Sequence, residues 1–74
     1  MNQRYLRSLY LRDLRRAPGV RADIRAAAGR PDRTARLAFS AFNDDPTLLY
    51  AACGLALLDG VTVILGSEAV PAEA

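Results

Sequence analysis

Apolar positions recur along this chain at helical spacing in four stretches and at strand-like density in one. Residues 3–16, QRYLRSLYLRDLRR, fit a helix with Tyr5, Leu6, Leu9, Tyr10 and Leu14 on one face and Arg4, Arg7, Ser8 and Arg15 turned away. Asp13 falls inside that stripe, which calls for an arginine from elsewhere in the fold or an edge that water reaches. Ala17-Pro18-Gly19 breaks the helix, because proline lacks a donor and glycine turns freely. Val20 to Ala28 predicts a second, short helix with Val20, Ile24, Ala27 and Ala28 as its core stripe and Gly29 as its stop. Pro31 forbids continuation, and Asp32 suits the N-cap of a third helix reaching about Phe42. On it Ala35, Ala38, Phe39 and Phe42 share one side, and Arg33, Arg36, Ser40 and Asn43 the other. Asn43-Asp44-Asp45-Pro46 reads as a cap followed by proline at the first helical position, so a fourth helix is expected from Pro46 to about Leu58. Thr47 to Leu58 carries no charge, which predicts a central helix covered on most sides. Asp59-Gly60 ends it, and the β-branched run Val61 to Leu65 predicts a strand.

The fold class that results is mainly α, a small bundle of about four short helices with one short C-terminal β-strand. Residues 1–66 are expected to form a single small domain and 67–74 a flexible tail. A lone strand needs a ladder partner for its N–H and C=O groups. Either the segment from Ala35 to Phe42 is itself a strand, or the same strand of a second copy pairs across a twofold axis. The 3.6-residue spacing of Ala35, Ala38, Phe39 and Phe42 favours the second, so a homodimer is expected. A chain of 74 residues buries only roughly 60% of the surface its unfolded form exposes, and a partner would widen its thin stability margin.

Charge changes the picture more than composition does. All ten arginines lie between Arg4 and Arg36, against three aspartates, which gives that stretch +7. From Leu37 onward there are five acids and no basic residue, giving −5 and a total of +2. This asymmetry predicts an acidic partner for the N-terminal half: nucleic acid, an acidic protein surface or the C-terminal half of a second copy. The single cysteine, Cys53, cannot form an internal disulfide, and no apolar run follows the first arginines as a secretory signal would require, so a cytoplasmic setting is expected. Leu48 to Leu65 approaches the length of a membrane span, but Asp59 inside it makes insertion costly, and no membrane role is expected on that count.

The chemistry is sparse. The chain has no histidine and no lysine, so nucleophile-plus-base arrangements and zinc clusters lack their parts, and neither an enzyme nor a metal or cofactor site is expected. Helix capping accounts for Asp44 and Asp45, the only adjacent carboxylates. Cys53 reads as a small buried hydrophobe, and Tyr5 and Tyr10 as core residues of the first helix.

One stretch carries a motif. In DIRAAAGRPDRTARLA, residues 23–38, Ile24 and Ala28 would pack inward, Gly29 would make the turn and Asp32 would cap a recognition helix presenting Arg33, Arg36 and Ser40. DIRAAAG, with Thr34 after four intervening residues, resembles the bihelical segment of bacterial repressors over about 16 residues, which implies DNA binding. Arg30 stands where those motifs bury an apolar side chain, and Pro31 stiffens the turn. Two ordinary amphipathic helices explain the same residues. The function expected first is therefore a small non-enzymatic interaction protein, a regulator or inhibitor. It would dock Arg4, Arg7, Arg12, Arg15, Arg33 and Arg36 on an acidic protein surface. A helix-turn-helix DNA-binding regulator using residues 32–42 is the alternative.

Overall fold

The computed structural model describes residues 2–66. The expected tail, 67–74, lies outside them. Helix α1 spans Gln3–Asp13, and Asn2 caps it by accepting a hydrogen bond from the Arg4 N–H at 2.8 Å. The last turn expected of this helix tightens into a 3₁₀ turn, Leu14–Arg16, which buries Leu14 completely. Helix α2 spans Pro18–Ala28 and starts two residues earlier than the pattern indicated, with proline at its first position. Its expected stripe is real: Val20, Ile24 and Ala27 are buried.

The third helix does not form. Residues Thr34–Ala38 are a strand, β1, followed by a 3₁₀ turn at Phe39–Phe42. Asp32 does make the bond expected of an N-cap, its carboxylate accepting from the Thr34 N–H at 3.3 Å. The same side-chain bond serves a turn as readily as a helix start, and here the chain leaves it extended. Arg33 sits at φ 49°, a left-handed conformation that no helical residue adopts. Along β1 burial alternates, Ala35 and Leu37 inward and Arg36 outward, so the period is two.

Helix α3, Pro46–Leu58, forms with the expected boundaries. Asp45 caps it, accepting from the Thr47 N–H at 2.9 Å, and Pro46 takes the first position. At the other end Gly60, at φ 67°, hydrogen-bonds back to Leu57 and Val61 back to Ala56, a Schellman ending that needs a residue free to adopt positive φ. Strand β2, Thr62–Gly66, follows directly.

Strands β1 and β2 pair in parallel, Ala35 opposite Val63 and Leu37 opposite Leu65. A parallel pair needs a long crossover, and α3 supplies it. The ladder that the strand required is therefore found within one chain. This corrects both the four-helix bundle and the strand pairing across a dimer: the described residues form three α-helices and a two-stranded sheet. Helical spacing at Ala35, Ala38, Phe39 and Phe42 was a coincidence of local sequence, overridden by a partner strand 28 positions downstream in register.

Helices α1 and α3 run antiparallel, as three contacts along their length require: Arg16 meets Asp45, Tyr10 meets Gly54 and Arg7 meets Asp59. A Cβ on Gly54 would lie 2.6 and 2.8 Å from the Tyr10 ring carbons Cε2 and Cε1, so this glycine admits the ring. The core lies between α2, the inner face of β1 and the inner face of α3, where Leu48, Ala51, Ala52, Leu55 and Ala56 are buried. Helix α3 is less covered than its uncharged sequence indicated, because Tyr50 is 77% and Leu57 81% exposed and Cys53 is exposed as well. Tyr5 is also exposed, and Tyr10 is half-buried against the core. Nothing among the described residues covers the outer face of the sheet, where Ile64 is 41% exposed beside Arg36.

Candidate functional site

The arginines divide into those the fold uses and those it leaves in solvent. Arg33 belongs to the first group. From the loop before β1 its guanidinium donates to the Ala28 carbonyl at 2.9 Å, the Gly60 carbonyl at 3.1 Å and the Asp59 carbonyl. These are carbonyls at the C-terminal ends of α2 and α3, where helices leave acceptors without intrahelical donors and where the helix dipole favours a cation. One planar side chain thus ties two helix ends to the start of the sheet.

Arg7 and Arg16 are also engaged, each with an acid from the C-terminal half. Arg16 meets the Asp45 carboxylate at 3.0 Å, and Arg7 donates to the Asp59 carboxylate. The acidic complement of the N-terminal half is in this measure internal. The hydrogen bond to Asp59 raises the Arg7 pKa above its ordinary range; partial burial opposes the rise, and the charge of Asp59 adds to it. A raised cationic pKa contributes stability below the unfolded-state value and loses it only as pH climbs through the folded one, so this pair adds no pH dependence near neutrality. Arg12 lies 3.5 Å from its sequence neighbour Asp13, whose side chain is partly exposed, so Asp13 takes the water-reached edge and not an arginine from elsewhere in the fold. Arg30 donates to the Thr34 carbonyl and lies 3.8 Å from Asp32.

Five arginines remain: Arg4 and Arg15 on the α1 side, Arg21 and Arg25 on α2, and Arg36 on the outer face of β1. All are exposed and none has a partner among the described residues. Those residues carry ten arginines and six aspartates, a net +4. Of the six positions expected to bind a partner, the fold thus leaves Arg4, Arg15 and Arg36 free, places Arg12 beside Asp13, and commits Arg7 and Arg33 to internal contacts. It does not gather the six into one patch.

Arg21 and Arg25 are not among the six arginines that the sequence pattern singled out. They stand one helical turn apart and so share a face. With Arg7 and Leu11 of α1 and Leu55 of α3, and with Asp59 beyond its end, they line a groove of about 290 Å³. Three guanidinium groups and one carboxylate surround it, above two leucines. Their spacing was visible in the sequence; the approach of α1 and α3 that turns them into a groove was not.

No protein family, curated protein or solved structure matches this chain. The reading therefore rests on the molecule's own geometry. Among the described residues no group of three or more histidine, cysteine or acidic side chains is placed to hold a metal ion, and no helix is long and apolar enough to cross a membrane.

Proposed function

We propose that this chain is a small non-catalytic interaction protein that docks an arginine-rich helical surface on an acidic protein partner. The observation that carries the reading is the set of exposed arginines without partners among the described residues, Arg4 on α1, Arg15 in the 3₁₀ turn after it, and Arg21 and Arg25 on α2, in a fold whose Asp45 and Asp59 are already occupied by Arg16 and Arg7. A guanidinium binds carboxylates through two parallel hydrogen bonds, so free arginines on rigid helices suit an acidic surface. The DNA-reading alternative needed a recognition helix over residues 32–42. That segment is a strand and a 3₁₀ turn, and Arg33 is turned onto helix-end carbonyls.

Titration of the protein with a fluorescein-labelled polyglutamate peptide and with mixed-sequence duplex DNA at about 150 mM salt tests this reading. The peptide is expected to bind and the DNA to bind more weakly. DNA binding with a dissociation constant near 10⁻⁴ to 10⁻⁶ M, with no peptide binding, would overturn it.

A second contact is favoured by α3. Pro46, Tyr50, Cys53 and Leu57 follow one another at i, i+4, i+7 and i+11 on its exposed side, an apolar stripe without charge. The same stripe on a second copy would match it in an isologous helix pair, which needs no charge complement. Sedimentation showing monomer only at tens of micromolar would sink this contact.

A further inference from the structure

We propose that the groove bounded by Arg7, Arg21 and Arg25 is the seat of the acidic partner, and that it takes an acidic peptide segment with an aliphatic side chain among its carboxylates. The proposal rests on the acidic-partner reading and says where, and by what chemistry, the partner is held.

The groove combines two requirements that a bare charged face does not meet. Its rim is cationic, because Arg21 and Arg25 project from one face of α2 with no partner among the described residues, while Arg7 is held across from them by Asp59. Its floor is apolar, formed by Leu11 and by Leu55, which is 3% exposed. Charge pairs at an exposed rim steer and orient more than they bind, and affinity comes from a desolvated apolar centre that such charges surround. An acidic segment carrying one leucine-like side chain satisfies both parts.

The composition of the groove argues against a free phosphate. Phosphate sites commonly add backbone N–H groups at helix N-termini or in turns to their arginines. This groove is lined by Asp59 and by side chains from within helices, whose backbone N–H groups are taken by intrahelical hydrogen bonds. Its volume, about 290 Å³, also falls at the lower edge of pockets that enclose small organic ligands, roughly 300–1,000 Å³. A side chain from a protein partner fits that space without needing enclosure.

The test uses the full chain and two fluorescein-labelled peptides of equal negative charge, polyglutamate and a Glu-Glu-Leu repeat, with inorganic phosphate as competitor. The leucine-containing peptide is expected to bind more tightly than polyglutamate. The double variant Arg21→Ala/Arg25→Ala is expected to weaken it about tenfold, whereas Arg4→Ala/Arg15→Ala, which removes the same charge from outside the groove, changes it far less. Neither pair makes a side-chain hydrogen bond or ion pair among the described residues, so thermal stability should be unchanged in both and serves as the folding control. Acidic-peptide binding that survives loss of Arg21 and Arg25, that falls equally in the two double variants, or that gains nothing from leucine overturns the groove and leaves the acidic-partner reading standing. Displacement of the peptide by millimolar phosphate, or binding of phosphate alone at that concentration, overturns the peptide assignment. Failure of both acidic peptides to bind overturns the groove and the acidic-partner reading together.

Discussion

Removing the Arg33 side chain should destabilise the fold even though Arg33 lies on the surface. Arg33→Ala deletes three hydrogen bonds to carbonyls at the ends of α2 and α3, two of them at 2.9 and 3.1 Å. A hydrogen bond in a protein contributes roughly 0.5–1.5 kcal/mol net, more when one partner is charged. Here the carbonyls are exposed and can turn to water, so the low end applies to each and a loss of about 1.5–2 kcal/mol is expected. For a domain of this size that corresponds to a fall in Tm of roughly 6–16 °C. Arg33→Lys should recover only part of the loss, because an ammonium cannot reach three acceptors with the geometry of a planar guanidinium. Arg33→Gly should stand above Arg33→Ala, since φ 49° strains any residue with a Cβ by roughly 1 kcal/mol. Arg36→Ala, on the outer face of β1, should leave the unfolding free energy within about 0.5 kcal/mol of the parent, as for other surface changes. Thermal and urea unfolding followed by circular dichroism measure all four. An Arg33→Ala protein as stable as the parent, or an Arg36→Ala protein equally damaged, would refute the role given to Arg33.

Three further changes probe the helices. Gly54→Ala should destabilise by about 1–3 kcal/mol because its Cβ meets the Tyr10 ring, despite a helix-propensity gain of roughly 1 kcal/mol. In a Tyr10→Ala background the same change should turn stabilising, and persistence of the original sign would show that the ring is not the obstacle. Asp45→Ala removes both the α3 cap and the partner of Arg16, for an expected loss of about 1–2 kcal/mol in denaturant unfolding; Asp45→Asn, which still caps, should lose less. Leu57→Arg, at a position 81% exposed, should leave thermal stability of the monomer unchanged while abolishing concentration-dependent sedimentation; a large fall in Tm at low protein concentration would place Leu57 in the core instead.

Sequence alone determined the helices whose signals are local. For α3 the Asp45-Pro46 start and the Asp59-Gly60 end each act through bonds within a few residues, and the boundaries came out as read. The Val20, Ile24 and Ala27 stripe of α2 was legible for the same reason, and so was the strand after Gly60, to within a residue. Tertiary structure decided the segment from Asp32 to Phe42. There the local signals agreed with a helix, Asp32 formed its short-range bond in either case, and the outcome turned on β2 offering a parallel ladder across the α3 crossover. Ladder pairing joins residues distant in sequence, so periodicity within the segment carries no record of it. The fate of the arginines was settled at the same level. Their number and clustering predicted a basic N-terminal half, but which of them would be consumed depended on where helix ends and acids arrived in space. Folding brought Asp59 to Arg7, Asp45 to Arg16 and three carbonyls to Arg33, and it left Arg21 and Arg25 free above Leu11 and Leu55.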